Sequence, residues 1–308
     1  MKKKTLGVIG PGKHFSTKIY PILAKSKFFK LSGVLRKNQN KYFNTIKIFS
    51  ERNFFSKNFD FIYISCPNKF HEKYIIKSLE NNSHVICEKP FLIKKNNLNK
   101  ILKLSKIKKK LIFESFMFLY HPVFNFVKNI IKNHRYGKLE YLVSNFRFPS
   151  LDKNNHRYNS QGRGFFLDSA CYLLALENYL FDKNNSISNY YFQNIRNKFP
   201  LRGNIVIRSH VNRYYFWGEG QNYSNNLEIF FNKASIFIDK FFSKKKNEEI
   251  LAKIHCNNKI IIKKFKKINH FQEMFKVVKK NYNNPHFQDF HRKKIINQLN
   301  LLIKNNKY

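Results

Sequence analysis

Blocks of apolar residues alternate with amphipathic stretches through the first third of the chain. KTLGVIG (4–10), FKLSGVL (29–35), DFIYIS (60–65), HVICEK (84–89) and KLIFESF (110–116) are short apolar runs with polar borders, the pattern of buried strands. Between them, HFSTKIYPILAKS (14–26) sets Ile19, Ile22 and Leu23 on one helical face, and KFHEKYIIKSLENN (69–82) and NNLNKILKLSKI (96–107) have the same period. Strand, helix and strand repeated in this way predict a doubly wound parallel sheet of the Rossmann type, over residues 1–119.

After Pro122 the texture changes. VFNFVKNIIKN (123–133) predicts a helix that Gly137 closes, KLEYLVSNFRF (138–148) a strand, and FFLDSACYLLALENYLF (165–181) a strongly apolar helix. From 187 to 264 the runs ISNYYFQNI, NIVIRSH, NRYYFWGEG, NLEIFF, ASIFIDKFF and KIIIKKF follow one another with little helix between them. They predict a large, mostly antiparallel open sheet in a second α/β domain, residues 120–308, with two closing helices around 270–282 and 286–305. Two domains over a shared cleft is the simplest arrangement.

Charge is the one unusual quantity. Lys and Arg number 59 against 18 Asp and Glu, a formal net charge of +41. Nucleic-acid binders gather such charge on one face or tail. Here lysines recur from Lys2 to Lys307, beside 34 Phe, abundant Asn and Ile, and only 10 Gly. All of these follow from A/T-rich codons, so composition drift accounts for the charge and no specific nucleic-acid partner is expected. Cys66, Cys87, Cys171 and Cys256 are far apart and form no CxxC pair, which predicts reduced thiols in a cytoplasmic protein and no metal site. The run after MKKK is too short for a secretory signal, and no stretch approaches the ~20 apolar residues of a membrane span.

Candidate chemistry gathers where the predicted strands end, the edge at which open parallel sheets bind ligands. The first strand runs into Gly10-Pro11-Gly12-Lys13-His14-Phe15, a turn able to bring backbone against a pyrophosphate, with Phe15 in the place of a third glycine. The second ends in Arg36 and Lys37, basic groups suited to a 2′-phosphate, which favours NADP(H) over NAD(H). Then CPNKFHEKYIIKSLENNSHVICEKPF (66–91) joins Pro67-Asn68-x-x-His71, a helix, a strand and Glu88-Lys89-Pro90. This ordered set resembles the Gfo/Idh/MocA oxidoreductases. FESFMFLYHP (113–122), RYNSQGRGFFLDSACY (157–172) and GQNYSNNLEIFFNKASIFIDKFFS (220–243) extend the resemblance over about residues 5–285, with Arg163 and Ala170 where the family has glycines.

The resemblance implies a Rossmann domain followed by an open-sheet α/β domain, and a cis peptide bond before Pro90. It places Lys89 at the nicotinamide and the reacting carbonyl. Gly10, Gly12, Lys13, His14, Arg36, Lys37, Pro67, Asn68, His71, Glu88 and Lys89 are then the cofactor-binding candidates, although Asn68 and His71 also suit a helix start. Tyr120, His121, Arg157, Tyr158, Asp168 and Tyr172 are the substrate-binding candidates. Asp168 and Tyr172 stand at i and i+4, which stacks them on one face of an α-helix. With Lys89 they form the catalytic group, the acid orienting and the phenol giving its proton to the developing alkoxide, and a nearby ammonium favours ionisation of that phenol. Within the family the motifs are most similar to nucleotide-sugar 3-ketoreductases. The expected function is NADP(H)-dependent reduction of a keto-sugar, nucleotide-linked, in cell-surface polysaccharide or deoxysugar synthesis, by a homo-oligomer assembled through the C-terminal sheet. The alternatives are a free-sugar or diol dehydrogenase of xylose or dihydrodiol type, an inactive cofactor-binding relative and, from another class, a basic nucleic-acid-binding protein.

Overall fold

The computed structural model describes residues 2–36, 46–152, 154–158, 164–181, 187–196, 199–220, 222–246 and 248–304. The chain divides into two compact units. Unit 1 comprises residues 1–115 and Met274–Ile303, and unit 2 comprises Phe116–Glu273 together with Lys304. The single boundary expected at 119/120 therefore falls a few residues late and misses the return of the C-terminal helices to unit 1.

Unit 1 opens with β1 (Lys4–Ile9), a π turn (Phe15–Ile19), α1 (Tyr20–Ala24), β2 (Phe29–Leu35), β3 (Ile48–Phe49) and α2 (Glu51–Phe55). It continues with β4 (Phe61–Ile64), α3 (His71–Glu80), β5 (His84–Cys87), α4 (Leu98–Ile107) and β6 (Ile112–Glu114). The strands form one parallel sheet in the order β3-β2-β1-β4-β5-β6, the doubly wound order. Every residue of β4 and β5 is buried, because helices cover both faces of a parallel sheet. The short pair β3 and α2 has no counterpart in the apolar pattern. Two residues of strand and five of helix carry too little period to read, although Ser50 caps α2 by accepting from Asn53 N.

Unit 2 contains α5 (Pro122–Lys132), β7 (Leu139–Phe148), a π turn (Phe166–Ala170) and α6 (Cys171–Leu180), followed by the remaining strands of its sheet. These are β8 (Ile187–Arg196), β9 (Phe199–Arg208), β10 (Asn212–Glu219), β11 (Ser224–Phe231), β12 (Ala234–Asp239), β13 (Ile250–Cys256) and β14 (Lys259–Phe265). The eight-stranded order is β14-β13-β12-β11-β7-β10-β9-β8, antiparallel throughout except where β10 runs parallel to β7. One face is built from alternate residues such as Leu227, Ile229, Ile236, Ile238, Ala252 and Ile254, all buried. β13 alternates regularly, with Ile250, Ala252 and Ile254 buried between exposed Leu251, Lys253 and His255, but small Ala252 and outward Leu251 blur its apolar pattern.

Two helices close the fold, α7 (His270–Asn281) and α8 (Pro285–Ile303). From Met274 onward they belong to unit 1. Ile295 and Leu299 of α8 join Ile62, Ile64, Leu79, Val85, Ile101 and Ile112 in one apolar cluster, while Phe275 of α7 and Tyr282 just after it lie edge-on to Phe29 and Phe61. Among the described residues no helix is long and apolar enough to cross a membrane.

Candidate active site

In unit 1 the sequence candidates gather at the C-terminal edge of the parallel sheet. Gly10 follows β1 with φ +64°, and a Cβ there would lie 2.5 Å from the Cβ of Cys66, so both conformation and space demand glycine. At Gly12 a Cβ would meet nothing within 4 Å, and Gly12, Lys13 and His14 are exposed. The turn is therefore tight on its inner side and open on its outer side, the form in which backbone N–H groups stay accessible to an anion. Arg36 donates from Nη1 to the Pro11 carbonyl at 3.2 Å, which holds the turn against the end of β2. Lys37 lies outside the described residues. Phe15 is fully buried, its ring 5.5 Å from that of Tyr63, and the helix begins as a π turn at this bulky position. A wider turn accommodates a ring where the family pattern places glycine for close helix–strand packing.

Pro67 and Asn68 follow β4, with Pro67 exposed and Asn68 half-buried at the start of a 3₁₀ turn. His71 is fully buried. Its Nδ1 lies 2.9 Å from the Pro90 carbonyl and its Nε2 2.9 Å from the Cys66 carbonyl. Burial lowers the ring's pKa against the pull of these carbonyls. The ring thus staples the turn after β4 to the turn after β5 and faces the interior, so it acts on the site through the backbone. Glu88 accepts from the buried Tyr63 hydroxyl at 2.5 Å, and His14 Nε2 is 3.7 Å from the same Oε1. Lys89 is half-buried, and its peptide bond to Pro90 is cis, as the resemblance implies.

The sequence reading passed over Glu114, the last residue of β6. It is 4% exposed, and its Oε1 accepts from Phe91 N at 2.8 Å, immediately after Lys89-Pro90. Burial pushes its carboxyl up to about 8, against the opposing effects of the Phe91 N–H and the Lys89 charge. A carboxylate inside an otherwise apolar strand is itself a signal, because Glu is rarely buried without a reason.

In unit 2, Arg157 donates from Nε to Asp168 Oδ2 at 2.6 Å, which ties the loop before Asn159 to the start of the α6 region. Asp168 lies in the π turn, where i→i+5 pairing replaces i→i+4, so its spacing to Tyr172 is not the stacked geometry expected of an α-helix. Tyr172 is buried among Phe116, Phe118, Phe146 and Phe242, with its hydroxyl 3.6 Å from Met117 Sδ. Tyr158 is buried with its hydroxyl 3.2 Å from Glu219 Oε2. Tyr120 is half-buried, and desolvation raises its phenol. His121, expected at the substrate's edge, has no exposed surface. It caps α5 by accepting from Val123 N at 3.2 Å and packs 4.7 Å from the ring of His270, and burial and the Lys244 charge lower it to about 4. Arg163 lies outside the described residues.

A six-stranded parallel sheet with a glycine turn after β1, and polar side chains ranked along its C-terminal edge, defines a dinucleotide-binding Rossmann unit. Residues 4–116 match the profile of the Gfo/Idh/MocA oxidoreductase family with NAD-binding Rossmann fold. The chain is 24% identical over 188 residues to dTDP-3,4-didehydro-2,6-dideoxy-alpha-D-glucose 3-reductase of Saccharopolyspora spinosa, covering 60% of this chain and 57% of that one. It thus spans little more than half the length of that curated relative. It is 20% identical to trans-1,2-dihydrobenzene-1,2-diol dehydrogenase of Xenopus laevis, over 40% of this chain and 37% of that one. In fold it matches the 3-ketoreductase KijD10 of Actinomadura kijaniata, solved with NADP and TDP-benzene, with a TM-score of 0.90 at 17% identity over 98% of this chain and 96% of that chain.

Proposed function

We propose that the protein is an NADP(H)-dependent reductase of a nucleotide-linked keto-sugar, acting in deoxysugar or cell-surface polysaccharide synthesis. The observation that carries the reading is the unit 1 edge, where Gly10 and Gly12 follow β1, His71 follows β4 and Lys89 follows β5, three neighbouring strands, in the order the family motif demands. The residues suit the cofactor. The open face at Gly12 leaves room for a pyrophosphate against backbone, and Arg36 stands where a 2′-phosphate needs a cation. When bound, NADPH supplies the hydride. Lys89 polarises the ketone oxygen, the Tyr172 hydroxyl gives the proton that the developing alkoxide takes up, and Arg157 holds the Asp168 carboxylate in a fixed orientation. The 3-ketoreductases of Saccharopolyspora spinosa and Actinomadura kijaniata favour this substrate class. The diol dehydrogenase of Xenopus laevis favours a second reading, oxidation of a free diol or sugar.

The reading places the enzyme in the cytoplasm as a homo-oligomer. Support for the assembly comes from one face of the eight-stranded sheet, where the register places Tyr141, Phe237, Leu251, Ile260 and Ile262, all exposed, diagonally across Glu228, Lys253 and His255. Exposed apolar side chains on one sheet face favour a protein partner over water.

NADPH and NADH oxidation, followed with a panel of nucleotide-linked keto-sugars, free keto-sugars and diols, tests the proposal. Nucleotide-linked ketones with NADPH should turn over fastest, and Tyr172→Phe should slow them about 10²–10⁴-fold with NADPH affinity kept. Faster turnover of free sugars or diols selects the second reading, and full activity of Tyr172→Phe removes the proton-donor role.

A further inference from the structure

We infer that Glu114 is a positioning residue for Lys89, holding the backbone of the turn that carries the lysine and, when ionised, favouring its charged form. This rests on the reading of Lys89 as the group that polarises the substrate carbonyl.

The turn Lys89-Pro90-Phe91 is gripped at two points. His71 Nδ1 approaches the Pro90 carbonyl at 2.9 Å, and Glu114 Oε1 receives the Phe91 N–H at 2.8 Å. Glu114 is itself fixed, because β6 pairs with β5 so that Glu114 stands opposite Cys87, and Ser115 N donates to the Cys87 carbonyl at 2.9 Å. The backbone that carries the carboxyl is therefore held by the strand, and the amide the carboxyl holds is two residues from the Lys89 Cα. A carboxyl with so little exposed surface would be replaced by a neutral acceptor if the hydrogen bond were its whole purpose, since ionising it in the interior is costly. What distinguishes Glu from Gln here is charge, and the cation that acts on it is Lys89. The buried Cys87 thiol also feels this carboxyl, and burial pushes it well up and keeps it neutral. Ionised, Glu114 favours the ammonium form of Lys89; protonated, it releases that hold while still accepting the Phe91 N–H through its carbonyl oxygen. Orientation and charge at Lys89 are thus set by one side chain that need not touch the substrate.

The test uses the full-length protein. Carbon-13 NMR of the glutamate carboxyls, with the Glu114 signal identified by its loss in Glu114→Gln, should show a titration near about 8 in the wild type. The same signal should titrate at higher pH in Lys89→Ala, because the opposing cation is gone. An unchanged titration in Lys89→Ala overturns the coupling. Glu114→Gln keeps the acceptor for Phe91 and should leave the KM for NADPH near that of the wild type. Its kcat should fall by up to about 10²-fold and lose the wild type's dependence on pH near that titration. Glu114→Ala should lower both kcat and cofactor affinity. In the Lys89→Ala background, Glu114→Gln should have almost no further effect on kcat, since the two act as a unit. Wild-type kcat and pH profile in Glu114→Gln overturn the inference. A wild type that reduces no ketone in the panel overturns the proposed function, and the carboxyl titration then decides the coupling alone.

Discussion

Glu177, on α6 in unit 2, receives two N–H groups of Arg213, at 2.8 and 3.1 Å, and the hydroxyl of Tyr215 at 2.8 Å. Glu114, at the end of β6 in unit 1, receives one backbone N–H and the field of Lys89. Both carboxyls are buried. The first is enclosed by matched donors, and Arg213 is in turn held by Ser209, the Val211 carbonyl and the ring of Phe181 at 4.6 Å. Burial alone would lower the Arg213 pKa, but the hydrogen bond and charge of Glu177 raise it. Such a pair locks α6 to β10. The second is under-compensated, and its carboxyl stays protonated to about 8. A fully matched buried charge makes scaffold, whereas a partly matched one can respond to what happens beside it.

Removing one partner of the matched pair should have the largest effect. Arg213→Ala leaves Glu177 buried without its cation, and unfolding in urea should show about 3–5 kcal/mol of lost stability. The double replacement Arg213→Met with Glu177→Leu should recover most of that loss, because apolar side chains of similar size need no compensation. If the double variant is as unstable as the single one, packing and not charge matching sets unit 2 apart.

Glu114 should behave in the opposite sense. Folded, it keeps its proton to about 8, whereas the unfolded carboxyl loses it near 4.5. Between those values unfolding releases a proton, so stability falls as pH rises. Relative to Glu114→Gln, the wild type should lose about 1.4 kcal/mol per pH unit across that window, read from urea midpoints at constant m. A pH-independent difference would mean that Glu114 is as well matched as Glu177.

The smallest effect concerns His291 on α8, fully buried against Phe113, Phe287 and Phe290. Neither ring nitrogen has a hydrogen-bond partner among the described residues, and burial lowers the ring to about 3. The unfolded ring takes up a proton below its ordinary 6.5 and the folded ring does not, so stability falls as pH drops. His291→Phe should remove this term, a gain of about 1.4 kcal/mol at roughly one pH unit below 6.5. Thermal unfolding of the two proteins at mildly acidic and neutral pH measures it. No gain in acid would show that this ring, like Glu177, is matched in the folded state.

Much of this was legible beforehand because it is local. Apolar runs with polar borders mark β1, β2, β4, β5 and β6, and β11 alternates buried and half-buried residues along its whole length. Gly10 and Lys89 were legible because their neighbours in sequence are also their neighbours in the turn. Glu114 was not, since its partner Phe91 is 23 residues away and the contact exists only once β5 and β6 are paired. His71 and His121 were recognised as residues of interest, but their inward placement depends on carbonyls and rings contributed by distant segments. α8 was legible as a helix, whereas the core it enters is a property of the whole chain. Its buried Ile295 and Leu299 have the same local pattern whichever unit they complete.

That last placement bears on how the protein is made. The ribosome delivers β1 to β6 first and unit 2 next, and only then α8, whose Ile295 and Leu299 belong to the apolar cluster of the first sheet. The unit begun earliest is therefore finished last. While unit 2 emerges, the face that α8 will cover stands open, with Ile62, Ile64, Leu79, Val85 and Ile112 in a cluster still lacking two members. Transiently exposed apolar surface of this kind is prone to aggregate, and it stays so until residues 285–303 can dock.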